Sequence, residues 1–305
     1  MLKTNANTIK VISPAKVNLF LAVAAKDVDY HPVLNIMHTL LLHDVLYVNY
    51  EKSNKTTINI EFLENEDSNG ERPDIKLEDN LIYKAFMALA EKSPKKFSIT
   101  IYVEKNIPLQ AGLAGGSSNA AAALIGAAKI FGIDEDTVTD VAQKLGSDVP
   151  FFLKGGCALY TGRGEVFDHA LSPINREIVL IRPFADEGLS TKAVYEQFDK
   201  MDIASDFSAN FPTEKNCNCE DHHHDMNLKE AVSQLQFADN VPLFNNLAMA
   251  SEQLAPELSE IKSFLAEKCG QDKVLLCGSG SATFALVGEA EDSDTIVDEA
   301  RDKGY

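Results

Sequence analysis

The sequence predicts an α+β fold. Three observations carry this. "FSITIYVEKNIP" (residues 97–108) alternates apolar and polar residues with period two, as a half-buried strand does. "SSNAAAALIGAAKIFG" (residues 117–132) is a strong helix former that ends on a glycine. Strands and helices come in runs, without strict βα alternation.

Along the chain, "IKVISPAKVNLFLAVAAK" reads as extended, with Lys16, Asn18 and Phe20 on one face and Val17, Leu19 and Leu21 on the other. "HTLLLHDVLYVNYEK" and "TTINIEF" are further strands, and "ENEDSNGERPD" is a polar turn. "EDNLIYKAFMALAEKS" is helical, with Leu81, Ala85, Ala88 and Leu89 supplying the apolar face. After residues 97–108 the alanine-rich helix follows, with Ser117 or Ser118 as its expected N-cap. "DEDTVTDVAQKLG" repeats the pattern, with acidic residues first and Gly146 last. "FFLKGGCALYTGRGE" reads as a strand and a glycine turn. Beyond Leu171 come a strand ("REIVLIRPF"), a helix ("STKAVYEQFDKM") and a polar irregular stretch, 202–226. Two helical segments follow, around 228–235 and 246–268. Two strands about a glycine turn ("KVLLCGSGSATFALVG") and a last helix ("DTIVDEARDKGY") complete the order. A domain boundary is expected near Leu171, giving domains 1–171 and 172–305.

Charge and composition narrow the function classes. The formal net charge is -18. Nucleic-acid binders usually carry a basic excess or stripe, so nucleic acid is not an expected partner. An anionic ligand would have to be held by a local site against the overall field. No apolar run reaches the roughly 18 to 20 residues that span a bilayer, and "MLKTNANTIKVISPAK" lacks the apolar core of a secretion signal. Five unevenly spread cysteines suggest no disulfide framework, and a reducing cytoplasm is the expected location.

The stretch "PLQAGLAGGSSNAAAAL" (Pro108 to Leu124) concentrates the chemistry. A flexible linker would not run straight from a strand into a helix former. Small residues could serve close packing alone. They also suit an anion cradle, in which glycines admit phosphate to the backbone and the free N–H groups of a helix start point at it. No lysine follows Gly116, so the Walker pattern fails, and neither this loop nor "GSGSAT" fits the dinucleotide pattern.

These residues resemble the phosphate-binding motif of the GHMP kinases. "SPAKVNLFL" is similar to the family's N-terminal motif, and "LLCGSGSATFAL" to its C-terminal glycine turn. The three stand in the family's order across nearly the whole chain. The resemblance implies a two-domain GHMP kinase fold, with an N-terminal ribosomal-protein-S5-like domain and a C-terminal ferredoxin-like α/β-plait domain. "SDVPFF", "GRGE" and Tyr30–His31 imply a member that phosphorylates an alcohol of a cytidyl diphosphate ester in non-mevalonate isoprenoid biosynthesis. Another GHMP small-molecule kinase, or a non-catalytic nucleotide-binding member, is the alternative.

The resemblance also implies roles. Pro108, Gly112, Leu113, Ala114, Gly115, Gly116, Ser117 and Ser118 would hold the ATP phosphates, Lys105 would touch the nucleotide, and Asn80 the adenine. Asp148 is the expected base, with Lys16 favouring the ionised hydroxyl. Taken alone, an aspartate or a strand lysine is more often a solvated surface group. Asn18, Tyr30, His31, Tyr195, Gly278, Ser279 and Gly280 would line the substrate. For Tyr195 a core aromatic, and for the glycines a plain tight turn, are the plainer readings. Mg²⁺ is implied with ATP. The helix after the loop carries no carboxylate, so the metal's ligands stay open. A monomer or weak homodimer is expected. "NCNCEDHHHDMN" (216–227) has metal-ligand residue types at the wrong spacing for a closed zinc site; a polar surface loop is the expected reading, with adventitious or regulatory metal binding the alternative. The family pattern also implies a closing strand after the last helix.

Overall fold

The structure is a computed structural model that describes residues 6–63, 73–183, 188–206 and 227–305. The chain forms two compact units that interleave along the sequence. The first comprises Met1–Lys16, Thr39–Leu109 and Leu113–Gly155; the second comprises Val17–His38, Gln110–Gly112 and Gly156–Tyr305. The last switch falls at Gly155/Gly156.

The first unit holds the leading half of β1 (Thr8–Val23) and the trailing half of β2 (Val33–Lys52), with β3 (Thr57–Phe62). Helix α1 (Leu81–Ala90) and strand β4 (Phe97–Glu104) follow. β4 pairs antiparallel with β2, from Val45↔Glu104 to Lys52↔Phe97, and parallel with β3. Strand order here is β3-β4-β2-β1. Three helices complete the unit: α2 (Gly115–Phe131), α3 (Glu135–Leu145) and α4 (Val149–Lys154). α2 packs on α1, α3 and α4. Ala120, Ala121, Ala122, Ala123 and Ala127 are all buried, so the alanine block lets α2 sit covered on nearly every side.

The second unit continues β1 and β2. β8 (Phe244–Asn245) pairs parallel with β1 at Phe20 and Leu21. β5 (Cys157–Thr161) pairs antiparallel with β2 and with β6 (Val166–Leu171). A separate antiparallel sheet runs β7-β10-β9, from Ile178–Ile181, Thr283–Leu286 and Val274–Leu276. Helices α5 (Thr191–Phe198), α6 (Leu228–Ser233), α7 (Ala248–Leu254), α8 (Glu257–Cys269) and α9 (Ser293–Asp302) belong here. Ile261 and Leu265 of α8 join Val274, Ala285 and Ile296 in one core, while Leu21, Val23 and Val33 meet Val194, Phe198 and Leu247 in another. The mixed parallel and antiparallel pairing agrees with the α+β expectation.

Several local expectations change. "FFLK" is the body of α4, not strand, because Pro150 in the first turn and the apolar run suit a short helix equally well. α1 buries Ile82, Ala85, Phe86, Leu89 and Ala90, so its core face is rotated from the expected Leu81/Ala88 edge. The 246–268 helix is two helices, broken at Ala255–Pro256. The polar stretch is described only to residue 206, so "NCNCEDHHHDM" lies outside the described residues.

Candidate active site

The glycine loop owes its shape to left-handed backbone. Gln110, Gly112 and Ala114 have φ of 52°, 76° and 55°. Non-glycine residues pay to hold that conformation, and such outliers gather at functional sites. Ala114 is the N-cap of α2, and no side chain caps the helix. The start therefore falls before Ser117 and Ser118, which lie inside the first turn instead of capping it. Ser118 N–H bonds to Ala114 O at 2.9 Å, so the helix takes up its backbone donors from there on. The N–H groups ahead of it, on Gly115, Gly116 and Ser117, have no partner within the helix. Gly116 is exposed and Ser117 half-buried, while Ser118 is buried and its hydroxyl accepts from Ser13 Oγ at 2.8 Å.

Other segments meet this loop. Lys16 of β1 is 3% exposed, and its backbone N–H donates to Leu113 O at 3.2 Å. Gly146 lies beside Ser117: a Cβ built on it would be 4.0 Å from Ser117 Oγ. The turn from Gly146 to Asp148 is thus next to the helix start. Asp148 is the half-buried N-cap residue of α4, yet its side chain makes no capping bond there. A carboxylate left uncommitted in that position has its acceptors available for a ligand. Lys105, 7% exposed, lies under the loop. A Cβ on Gly115 would fall 3.0 Å from Ile107 Cγ2 and 3.3 Å from Lys105 Nζ, so the side chains beneath the loop leave little room there.

Lys105 is not a free cation. It donates to Asp44 Oδ2 at 2.5 Å. Asp44 is fully buried, and the reading of the sequence passed it over, as it did Ser13 and Asn119. A lone carboxylate inside the apolar run "LLLHDVLYV" was the available signal, since aspartate is seldom buried unpaired. Asn80 caps α1, with Oδ1 accepting from Ile82 N at 2.9 Å. Its amide N–H groups are what it has left to offer a base.

The residues expected to line the substrate lie in the second unit. Asn18 Nδ2 donates to Asn35 Oδ1 at 2.7 Å, a buried pair. His31 Nδ1 faces Ala24 O at 3.0 Å and Nε2 faces Asp199 Oδ1 at 3.1 Å. Both ring nitrogens meet acceptors, so the ring edge expected to read a pyrimidine is engaged within the protein. Tyr195 stands 5.1 Å from the His31 ring, tilted by 48°, and Tyr30 is 42% exposed. Gly278, Ser279 and Gly280 form a buried turn closed by Gly280 N–H to Cys277 O at 2.8 Å. Asn245 Nδ2 holds Gly278 O at 2.8 Å, and Ser279 Oγ meets Thr191 Oγ1 at 3.1 Å. This turn backs the loop's entry. Ala282 N–H donates to Ala111 O at 3.1 Å, and a Cβ on Gly112 would fall 1.9 Å from Cys277 O. Gly112 is thus required by close backbone approach as well as by its positive φ.

A glycine-opened helix start without a Walker lysine marks a class of phosphate-binding enzyme. Residues 80–156 match the description "GHMP kinases N terminal domain", and residues 223–305 match "GHMP kinases C terminal". The chain belongs to the GHMP kinase family. It is 31% identical over 303 residues to the 4-diphosphocytidyl-2-C-methyl-D-erythritol kinase of Prochlorococcus marinus strain MIT 9515, covering 98% of this chain and 92% of that one. It is 34% identical to the protein of the same name from Exiguobacterium sibiricum, covering 92% and 89%. A crystal structure of 4-(cytidine 5'-diphospho)-2C-methyl-D-erythritol kinase superposes with a TM-score of 0.65 at 28% identity, covering 97% of this chain and 96% of the other. Among the described residues no helix is long and apolar enough to cross a membrane.

Proposed function

We propose that this chain transfers the γ-phosphoryl group of ATP to the 2-hydroxyl of 4-diphosphocytidyl-2-C-methyl-D-erythritol, a step of non-mevalonate isoprenoid biosynthesis in the cytoplasm. The relatives of that name, matched over most of both chains, support the substrate. The observation that carries phosphoryl transfer is the uncapped start of α2 behind a left-handed Ala114. Its N–H groups and helix dipole supply the positive field that the missing Walker lysine would have given.

In this reading the loop from Pro108 to Ser118 cradles the phosphates. Asp148 accepts the proton of the attacking hydroxyl, and the Lys16 ammonium favours its ionised form. Lys105 acts from beneath the loop, and Asn80 offers its amide to the adenine. Asn18, Tyr30, Tyr195 and the backbone around His31 and Gly278–Gly280 form the cytidyl diphosphate side, with the tyrosine faces suited to a pyrimidine.

Mg²⁺ is proposed to arrive with ATP, where it would neutralise charge on the transferring phosphate. The described residues contain no cluster of three or more His, Cys, Asp or Glu side chains able to hold a metal, and the first turn of α2 has no acidic residue. The Ser117 hydroxyl and the Asp148 carboxylate are oxygen donors suited to such an ion. They fit a magnesium carried mainly by phosphate oxygens and water.

The test is an ATP-consumption assay against three alcohols: the cytidyl diphosphate ester, homoserine and mevalonate. Turnover is expected with the first. Activity confined to either of the others would refute the substrate assignment, and ATP binding without turnover on any would point to a sensor.

A further inference from the structure

Asp44 of β2 spends all its acceptor capacity on the two ends of the phosphate loop. Its Oδ1 accepts from the backbone N–H groups of Asn106 at 2.7 Å and Ile107 at 2.8 Å. Its Oδ2 accepts from Lys105 Nζ at 2.5 Å and from Asn119 Nδ2 at 2.8 Å. Four donors fill a carboxylate. Residues 105–107 lead into the loop, and Asn119 lies in the helix that leads out of it. One buried anion therefore pins both stems.

The network extends further. Asn119 Nδ2 also donates to Ser13 Oγ at 2.8 Å, and Ser13 donates to Ser118 Oγ at 2.8 Å. Ser13 lies three residues before Lys16 on the same strand. Beneath Gly115, an uncompensated ammonium would oppose the α2 dipole and would be costly to bury. Asp44 offsets both penalties. Neutralising Lys105 alone would need one oxygen, whereas this carboxylate also commits to two backbone N–H groups and to α2.

We propose that Asp44 is a positioning residue for the ATP phosphates: it fixes the separation of the loop's two stems, and with it the aim of the first N–H groups of α2, while holding Lys105 under Gly115. This rests on the kinase reading above. The Asp44→Asn variant keeps the size of the side chain and an oxygen for Asn106 and Ile107, but turns an NH₂ group toward Lys105 and Asn119. ATP affinity, measured by calorimetry, is expected to fall about tenfold, the effect of losing a charged hydrogen bond, while affinity for the cytidyl substrate holds. Asn119→Ala, which spares the Asp44–Lys105 pair and cuts the link to α2, is expected to weaken ATP in the same sense. Should Asp44→Asn fail to fold, that variant decides alone.

Combining Asp44→Asn with Lys105→Met removes the unpaired cation, so Tm should recover while ATP affinity stays low. Recovery of both would assign Asp44 to folding only and overturn the proposal. So would wild-type ATP affinity in Asp44→Asn or, where that variant does not fold, in Asn119→Ala. A wild-type chain that binds no ATP would instead bring down the kinase reading itself, and the positioning role with it.

Discussion

Asp148 and Lys16 sit on segments that touch one loop, and their proposed roles separate cleanly in kinetics. Neither is asked to hold the nucleotide, because the α2 N–H groups do that. Asp148→Asn is expected to lower kcat by about a hundredfold to ten-thousandfold, the usual worth of a general base, with ATP affinity unchanged by calorimetry. Lys16→Met should likewise lower kcat, with ATP affinity unchanged by calorimetry. An Asp148→Asn enzyme with near-wild-type kcat would reassign the base. Asp148, Lys16 and the loop could be picked out as candidates from the sequence because they lie inside short motifs. Asp44 could not, because its meaning depends on Lys105 and Asn119, which stand 61 and 75 residues away. For the candidate His31 the geometry was not legible: nothing in "YH" says that Ala24 O and Asp199 take its two nitrogens.

At the scale of elements, α3 gives the clearest stability test. Asp134 caps it, accepting from Thr137 N at 2.8 Å and from Thr137 Oγ1 at 3.0 Å. The Thr137 backbone bond, then its hydroxyl, hold the Asp134 carboxyl below its ordinary value of 3.8. A carboxyl depressed in the folded state stabilises above its unfolded value, and that stabilisation drains away as pH falls through the folded one. Asp134→Ala should therefore lower Tm at pH 7, and the gap to wild type should close as pH drops below the ordinary carboxylate range. A gap that persists in acid would mean that the aspartate acts by something other than its charge. The acidic start of α3 and the glycines that end α2 and α3 were legible because helix-end chemistry is local, although Asp134 was not singled out as the cap. The N-cap of α2 lies three or four residues before the expected Ser117 or Ser118, because a left-handed alanine leaves no mark in composition. α4 was misjudged because six apolar-rich residues fit strand or helix alike, and its packing on α2 and α3 decides.

The whole molecule sets one further constraint on catalysis. With a formal net charge of -18, the chain repels ATP at long range. Asp44 cancels Lys105, so in the proposed site the attraction comes from the backbone donors of α2, which act over a few ångströms. Salt treats the two contributions differently. Raising ionic strength from about 0.01 M to about 0.15 M shortens the Debye length from roughly 30 Å to roughly 8 Å. That screens the diffuse repulsion strongly and hydrogen bonds at contact distance hardly at all. The association rate of ATP, followed by stopped flow at constant free Mg²⁺, should therefore rise over this range, with little change in the dissociation rate. A basic steering surface would give the opposite slope. An association rate that falls with salt would mean that local positive charge outweighs the net field, and the α2 N–H groups would then not be the main source of attraction.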